Sequence, residues 1–217
     1  MAGGILAPLD GSALAMQALP YAAYLARRCR AGLLLALVVG DRERPTADEA
    51  AARAQLAAAA RRLRAAGLAA TTAIGRGPPA RSLARLLRAR APALLVLATH
   101  GRSGPSRWAL GGVCEQVLRA SPAPVLLLTP RALAAGAPER LGRRLVVPID
   151  GSELGRGVYP VVQRLARQLG DGVTLVRAVE PAAVWAASEA GSAAGGALPP
   201  DLLPAIETNL RRGLERR

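Results

Sequence analysis

Two stretches of this chain share one pattern. Residues 5–40 read ILAPLDGSALAMQALPYAAYLARRCRAGLLLALVVG, and residues 145–180 read LVVPIDGSELGRGVYPVVQRLARQLGDGVTLVRAVE. Asp10 and Asp150 stand 140 residues apart, and the same offset pairs Pro8 with Pro148, Gly11 with Gly151, Ser12 with Ser152, Pro20 with Pro160 and Gly32 with Gly172. Each stretch is an apolar run, a P-x-D-G-S turn, a helix-like stretch and a second apolar run, which is the opening of a β-α-β unit. A chain written this way is expected to be a tandem repeat of an α/β domain with an incomplete second copy.

Between the copies the pattern continues. Strands are expected at Ile5–Leu9, Leu33–Val39, Ala69–Ile74, Leu94–Ala98 and Pro124–Leu128. Helices are expected at Ala13–Arg30, where Ser12 is placed to cap, at Ala47–Ala66 before Gly67, at Ala80–Arg90 before Pro92, and at Gly111–Ala120. Alternation with near-continuous apolar strands predicts a doubly wound parallel sheet, helices covering both faces. The organisation expected is a complete domain over residues 1–130, a linker over 131–143 carrying Gly136, Pro138 and Gly142, and a partial second copy over 144–217. That partial copy would hold a strand, a helix, a strand, an Ala/Gly/Pro loop over Pro181–Pro200 and a closing helix over Leu202–Arg217.

Composition removes several function classes. No apolar run reaches the roughly 18–20 residues of a membrane span, and no signal peptide is visible at the start, so a cytoplasmic location is expected. Cys29 and Cys114 are the only cysteines, without a C-x-x-C or a histidine cluster, which argues against a zinc site or disulfide scaffold. The net charge of +14 invites a nucleic-acid reading. However, all 29 basic residues are Arg, many at the spacing of a solvated helix face, and aromatics make up only 2%. Stacking platforms for bases are nearly missing, so specific nucleic-acid binding is disfavoured.

The chemistry gathers in residues 94–128, LLVLATHGRSGPSRWALGGVCEQVLRASPAPVLLL. A strand ends at Ala98, a loop runs through Gly101 and Gly104, and a helix opens at Gly111-Gly112. Glycines let backbone approach a ligand closely, and free N–H groups at a helix start favour anions. In doubly wound sheets, ligands bind beyond the carboxyl ends of the strands where the order reverses. If the first and fourth strands are neighbours, Asp10 and this loop flank that crevice, as a nucleotide site requires. It is not a P-loop, which needs a lysine, nor the dinucleotide fingerprint, whose glycines follow the first strand.

With P-x-D-G-S near the start and T-H-G-R-S-G…G-G-V-x-E-x-V-L…P-V-L-L-L at the end, the chain resembles the universal stress protein family. The resemblance covers residues 4–130 and the first half of a second copy from 143 onward. It implies five parallel strands in the order 3-2-1-4-5, an adenine nucleotide alpha hydrolase-like fold. Family members that bind ATP carry G-x2-G-x9-G-[ST]; here Gly101 and Gly111 match, whereas Ala98 and Gly112 depart. Gly112 forgoes one hydroxyl–phosphate contact, worth on the order of 1–3 kcal/mol, and keeps its N–H. The nucleotide-binding positions implied are Pro8, Leu9, Asp10, Ser12, Val38, Ala98, His100, Gly101, Arg102, Gly104, Gly111, Gly112 and Val113, with Pro8, Asp10 and Val38 lining an adenosine pocket.

Several residues also have a plainer reading. Ser12 caps a helix, Asp10 orders its turn, Cys114 is small buried filler, Trp108 packs beneath the loop, and His100 lacks a catalytic partner. No catalytic constellation is visible, so a non-enzymatic regulator of the stress response is expected, binding ATP, with or without Mg²⁺, or another adenine nucleotide. The competing expectation is a dimeric interaction scaffold with a vestigial pocket. Because the second copy has no glycine loop, one nucleotide per chain is expected. Family dimers pair through the fifth strand, which implies a homodimer through Val125–Leu128.

Overall fold

The computed structural model describes residues 3–40, 46–99, 111–141, 143–150, 152–169 and 172–176. They fall into two compact units, Met1–Leu141 and Gly142–Arg217. In the first unit the order is β1 (Ile5–Pro8), α1 (Ala13–Arg28), β2 (Leu33–Val39), α2 (Ala47–Ala65), β3 (Ala70–Arg76), α3 (Pro79–Arg90), β4 (Leu94–Ala98), α4 (Gly112–Ala120) and β5 (Val125–Leu128). The strands form one parallel sheet in the order β3-β2-β1-β4-β5. The order reverses between β1 and β4, which pair through Ile5 with Leu94 and Leu6 with Leu95.

The strands are apolar on both faces because helices cover both. One face carries Leu6, Ala36, Leu95 and Leu97 against Leu83 and Leu87 of α3 and Cys114 and Val117 of α4. On the other, α1 lies over β1 and β4, and α2 over β2 and β3. Alanines at Ala18, Ala22 and Ala26 of α1, and Ala52, Ala59 and Ala60 of α2, are buried. A core so rich in alanine brings helix and sheet close without needing phenylalanine.

Residues 131–143 differ from the linker that their Gly and Pro suggested. Thr129 caps a short helix α5 (Pro130–Ala134), accepting from the Ala132 N–H at 3.2 Å, and Leu133 is buried. The Tyr21 hydroxyl of α1 donates to the Ala132 carbonyl at 2.6 Å, and a 3₁₀ turn at Pro138–Arg140 also contacts α1. A Thr-Pro helix start ahead of one apolar residue outweighs the loop-like composition that follows it.

Among the described residues of the second unit the elements are β6 (Arg144–Pro148), α6 (Glu153–Arg156), α7 (Tyr159–Leu169) and β7 (Gly172–Val176). β6 and β7 are parallel, and Leu145 pairs with Val173 as Ile5 pairs with Leu33, each partner displaced by the same 140 residues. The segment read as the closing helix, and the loop before it, lie outside the described residues.

Candidate functional site

The site begins where β1 ends. Gly11 adopts φ +84°, so the chain turns sharply between the strand and α1. Asp10 Oδ1 accepts from the Ser12 N–H at 2.9 Å, and Ser12 Oγ accepts from the Ala15 N–H at 3.2 Å. The first bond closes a turn around the glycine; the second satisfies one of the orphan donors of the helix. Ser12 is therefore the N-cap of α1, the structural half of its two readings. A hydroxyl that accepts at a cap still carries a hydrogen it can donate. A Cβ on Gly11 would stand 3.3 Å from the Ala52 Cβ of α2, so the turn is also closed in from behind.

Around this turn the sheet supplies a ledge. Leu9 is buried, and its N–H donates to the Ala36 carbonyl at 2.7 Å, extending the β1–β2 pairing one residue past Pro8. Val38, two residues further along β2, packs beside the core under α3 and α4 and lies 3.4 Å from where a Cβ on Gly75 would be. Pro8 and Ala98 are partly exposed at the strand ends, flanking the point where the order reverses.

On the β4 side, Thr99 ties three elements together, and sequence reasoning passed it over as the first residue of a loop. It is only 3% exposed; its N–H donates to the Leu128 carbonyl, and its own carbonyl accepts from the Gly111 N–H, both at 3.0 Å. The β4 end, the β5 end and the start of α4 are thus held at one place. A polar residue directly between an apolar strand and a glycine loop was the available signal.

Gly111 is the N-cap of α4 and provides no side-chain cap; Gly112 and Val113 follow on its exposed first turn. Among the described residues no side chain closes it, and this turn presents N–H groups and the positive end of the helix dipole. Among the described residues, a Cβ at Gly112 would meet nothing within 4 Å, which leaves room there for the serine that the family pattern carries. His100, Gly101, Arg102 and Gly104, with Trp108, lie outside the described residues. Cys114, one residue into the buried face of α4, has its thiol pKa raised by burial. Burial outweighs any pull from the helix start, as expected of packed filler.

The geometry therefore brings together Pro8, Leu9, Asp10, Ser12, Val38, Ala98 and Gly111–Val113 at the carboxyl ends of the strands. The same turn recurs 140 residues on. Asp150 Oδ1 accepts from Ser152 N–H at 2.8 Å, Ser152 Oγ accepts from Gly155 N–H at 2.9 Å, and Ile149 N–H donates to the Val176 carbonyl at 2.8 Å. There, among the described residues, β6 pairs with β7 alone.

Comparison with known proteins agrees with this architecture. The sequence model of the universal stress protein family matches residues 1–129, more than half of the chain. The chain belongs to the universal stress protein family. A universal stress protein from Archaeoglobus fulgidus DSM 4304 is 18% identical, with a TM-score of 0.65 over 82% of this chain and 67% of that one. Another from Archaeoglobus fulgidus is also 18% identical, with a TM-score of 0.50 over 58% of this chain and 93% of that one. A universal stress protein solved in complex with cAMP is 26% identical, with a TM-score of 0.49 over 58% and 96% of the two chains. No curated protein matches the chain. The two Archaeoglobus structures speak for the fold, and the first likeness reaches past the first unit.

Proposed function

We propose that this universal stress protein is a regulatory protein of the stress response that binds one adenine nucleotide, ATP in the first instance, at the carboxyl ends of β1 and β4. The observation that carries the reading is the juxtaposition of the Asp10 turn with the start of α4 across the point where the strand order reverses. Asp10 offers a carboxylate acceptor for ribose hydroxyls or the adenine amine. Pro8 and Val38 offer apolar contact to the base, and Gly111–Val113 offer backbone donors to phosphate oxygens. When a triphosphate binds, Mg²⁺ would come with it, neutralising phosphate charge.

The same proposal holds the role to binding, without catalysis, in the cytoplasm. It treats residues 144–217 as a partial second family domain, in which, among the described residues, the Asp150 turn faces no counterpart of β4 and α4. It also pairs two chains through β5, an edge strand whose Val125, Leu126 and Leu127 are only partly covered. An apolar sheet edge of this kind is a ready template for the same strand of another chain.

A second reading has an observation of its own. Gly112 lacks the hydroxyl of the ATP-binding pattern, which suits a dimeric scaffold with a vestigial pocket. Titration calorimetry with ATP, AMP and cyclic AMP, with and without Mg²⁺, separates the two. Saturable binding of ATP by the wild type, tightened about tenfold or more by Gly112→Ser, supports the nucleotide reading. Binding by Gly112→Ser alone supports the scaffold, and no binding by either removes the nucleotide.

A further inference from the structure

On the sheet face away from α1 and α2, α3 and α4 pack side by side and leave an open groove of about 530 Å³. Exposed Arg81, Arg85 and Arg88 line it from α3, above the buried Ala84, and Gln116 and Ala120 line it from α4. No acidic residue lines this groove among the described residues. Steps of four and three residues put the three arginines in one stripe, about 10 Å long at the rise of an α-helix.

Arg85 is already aimed. Its Nη2 donates to the Arg76 carbonyl and to Ser82 Oγ, both at 3.1 Å, and Ser82 Oγ donates in turn to the same carbonyl. The guanidinium is fixed by one nitrogen, and among the described residues its other two nitrogens keep N–H groups to donate. Cations gathered along a concave surface raise the local potential for anions well above that of the same charges scattered.

We propose that the α3–α4 groove docks an acidic amphipathic helix of a partner protein. Its carboxylates at i, i+4 and i+7 would meet Arg81, Arg85 and Arg88, and small apolar side chains would settle against Ala84 and Ala120. Charge complementarity selects an anionic partner, and the helical spacing of the stripe selects a helix lying along it. Among the described residues the groove offers no aromatic side chain on which a base could stack, so a nucleic-acid strand is the poorer match. The site stands apart from the nucleotide reading and does not depend on it.

The test is fluorescence anisotropy on the full chain, using a labelled synthetic helix with Glu at i, i+4 and i+7 and Ala or Leu beside them. Arg81→Glu with Arg88→Glu should weaken binding by about tenfold or more, and the neutral Arg81→Gln with Arg88→Gln by about threefold. Arg61→Glu with Arg62→Glu makes the same charge change on α2, across the sheet, and should alter binding by less than about twofold. Unchanged far-ultraviolet circular dichroism confirms that each variant is folded, and the neutral pair keeps the test decisive should the reversed pair not fold. Equal weakening in the groove and control pairs would reduce the effect to net charge and overturn the proposal. So would equal affinity for a peptide with Lys in place of Glu. An oligonucleotide that binds tighter than the peptide through Arg81 and Arg88 would also overturn it, assigning the groove to nucleic acid.

Discussion

The two P-x-D-G-S segments make the same turn and bury different amounts of surface. Asp10 and Asp150 each accept from the amide two residues on, and Ser12 and Ser152 each accept from the amide three residues on. Yet Leu6 is 0% exposed where its counterpart Val146 is 60%, and Ala36 is 0% exposed where Val176 is 44%. Turn geometry is written locally, in five residues. Burial is not: Leu6 is covered because β4 pairs with β1 and because α3 and α4 lie across that face.

The helices diverge as well. α1 runs unbroken from Ala13 to Arg28 through Pro20, whereas the second unit breaks at Gly157-Val158 and restarts with Pro160 in the first turn of α7. Two glycines, Gly155 and Gly157, replace Ala15 and Gln17 just before the proline. Glycine costs about 1 kcal/mol against alanine inside a helix, so the weaker segment yields where proline already removes a hydrogen bond.

The largest consequence concerns autonomy. Residues 1–141 alone should melt in one cooperative transition, while residues 142–217 alone should melt without one, as followed by circular dichroism. A sharp transition from the second piece would break the comparison, because a pair of strands such as the described β6 and β7 rarely sustains a fold alone. Next in size, Leu6→Ala should cost about 2–5 kcal/mol in urea unfolding. Its counterpart Val146→Ala should cost less than about 0.5 kcal/mol. Equal losses would mean that Val146 is covered in solution.

Smaller again, Ser12→Ala should lower the stability of the main transition by about 1 kcal/mol through loss of the α1 cap, and Ser152→Ala should leave that transition unmoved. The smallest effect is on pH. Cys29 and Cys114 both lie in the first unit, and burial raises both thiols above their ordinary value, for Cys29 against the opposing pull of nearby positive charge such as Arg28. The folded state thus holds its thiol protons more tightly than the unfolded chain. That contribution is complete below the ordinary thiol pKa and is lost as pH rises through the raised value. Thiol labelling at pH 8 should accordingly wait for unfolding of the first unit. Rapid labelling of the native protein would contradict the packing of α1 and α4.

Much of this was legible in the residues. Apolar runs bounded by glycine and proline marked the five described strands of the first unit to within two residues, and Ser12 marked the start of α1. The strand order came from family resemblance, because no local pattern says which strands are neighbours. α5 was missed because a single buried leucine, Leu133, gives no periodicity, and its anchor is Tyr21, over a hundred residues earlier. Thr99 was missed because the groups its backbone joins, the Leu128 carbonyl and the Gly111 N–H, are brought to it only by the fold. The Asp10 turn was read correctly as a turn, while its ligand role depends on what α4 brings to it.

Calorimetric titration of the full chain with ATP tests the central claim most directly, run in parallel on Asp10→Ala and Asp150→Ala. The account predicts one site per chain, weakened about tenfold or more by Asp10→Ala and unchanged by Asp150→Ala. Two sites per chain, or equal binding by the Asp10 variant and the wild type, would contradict it.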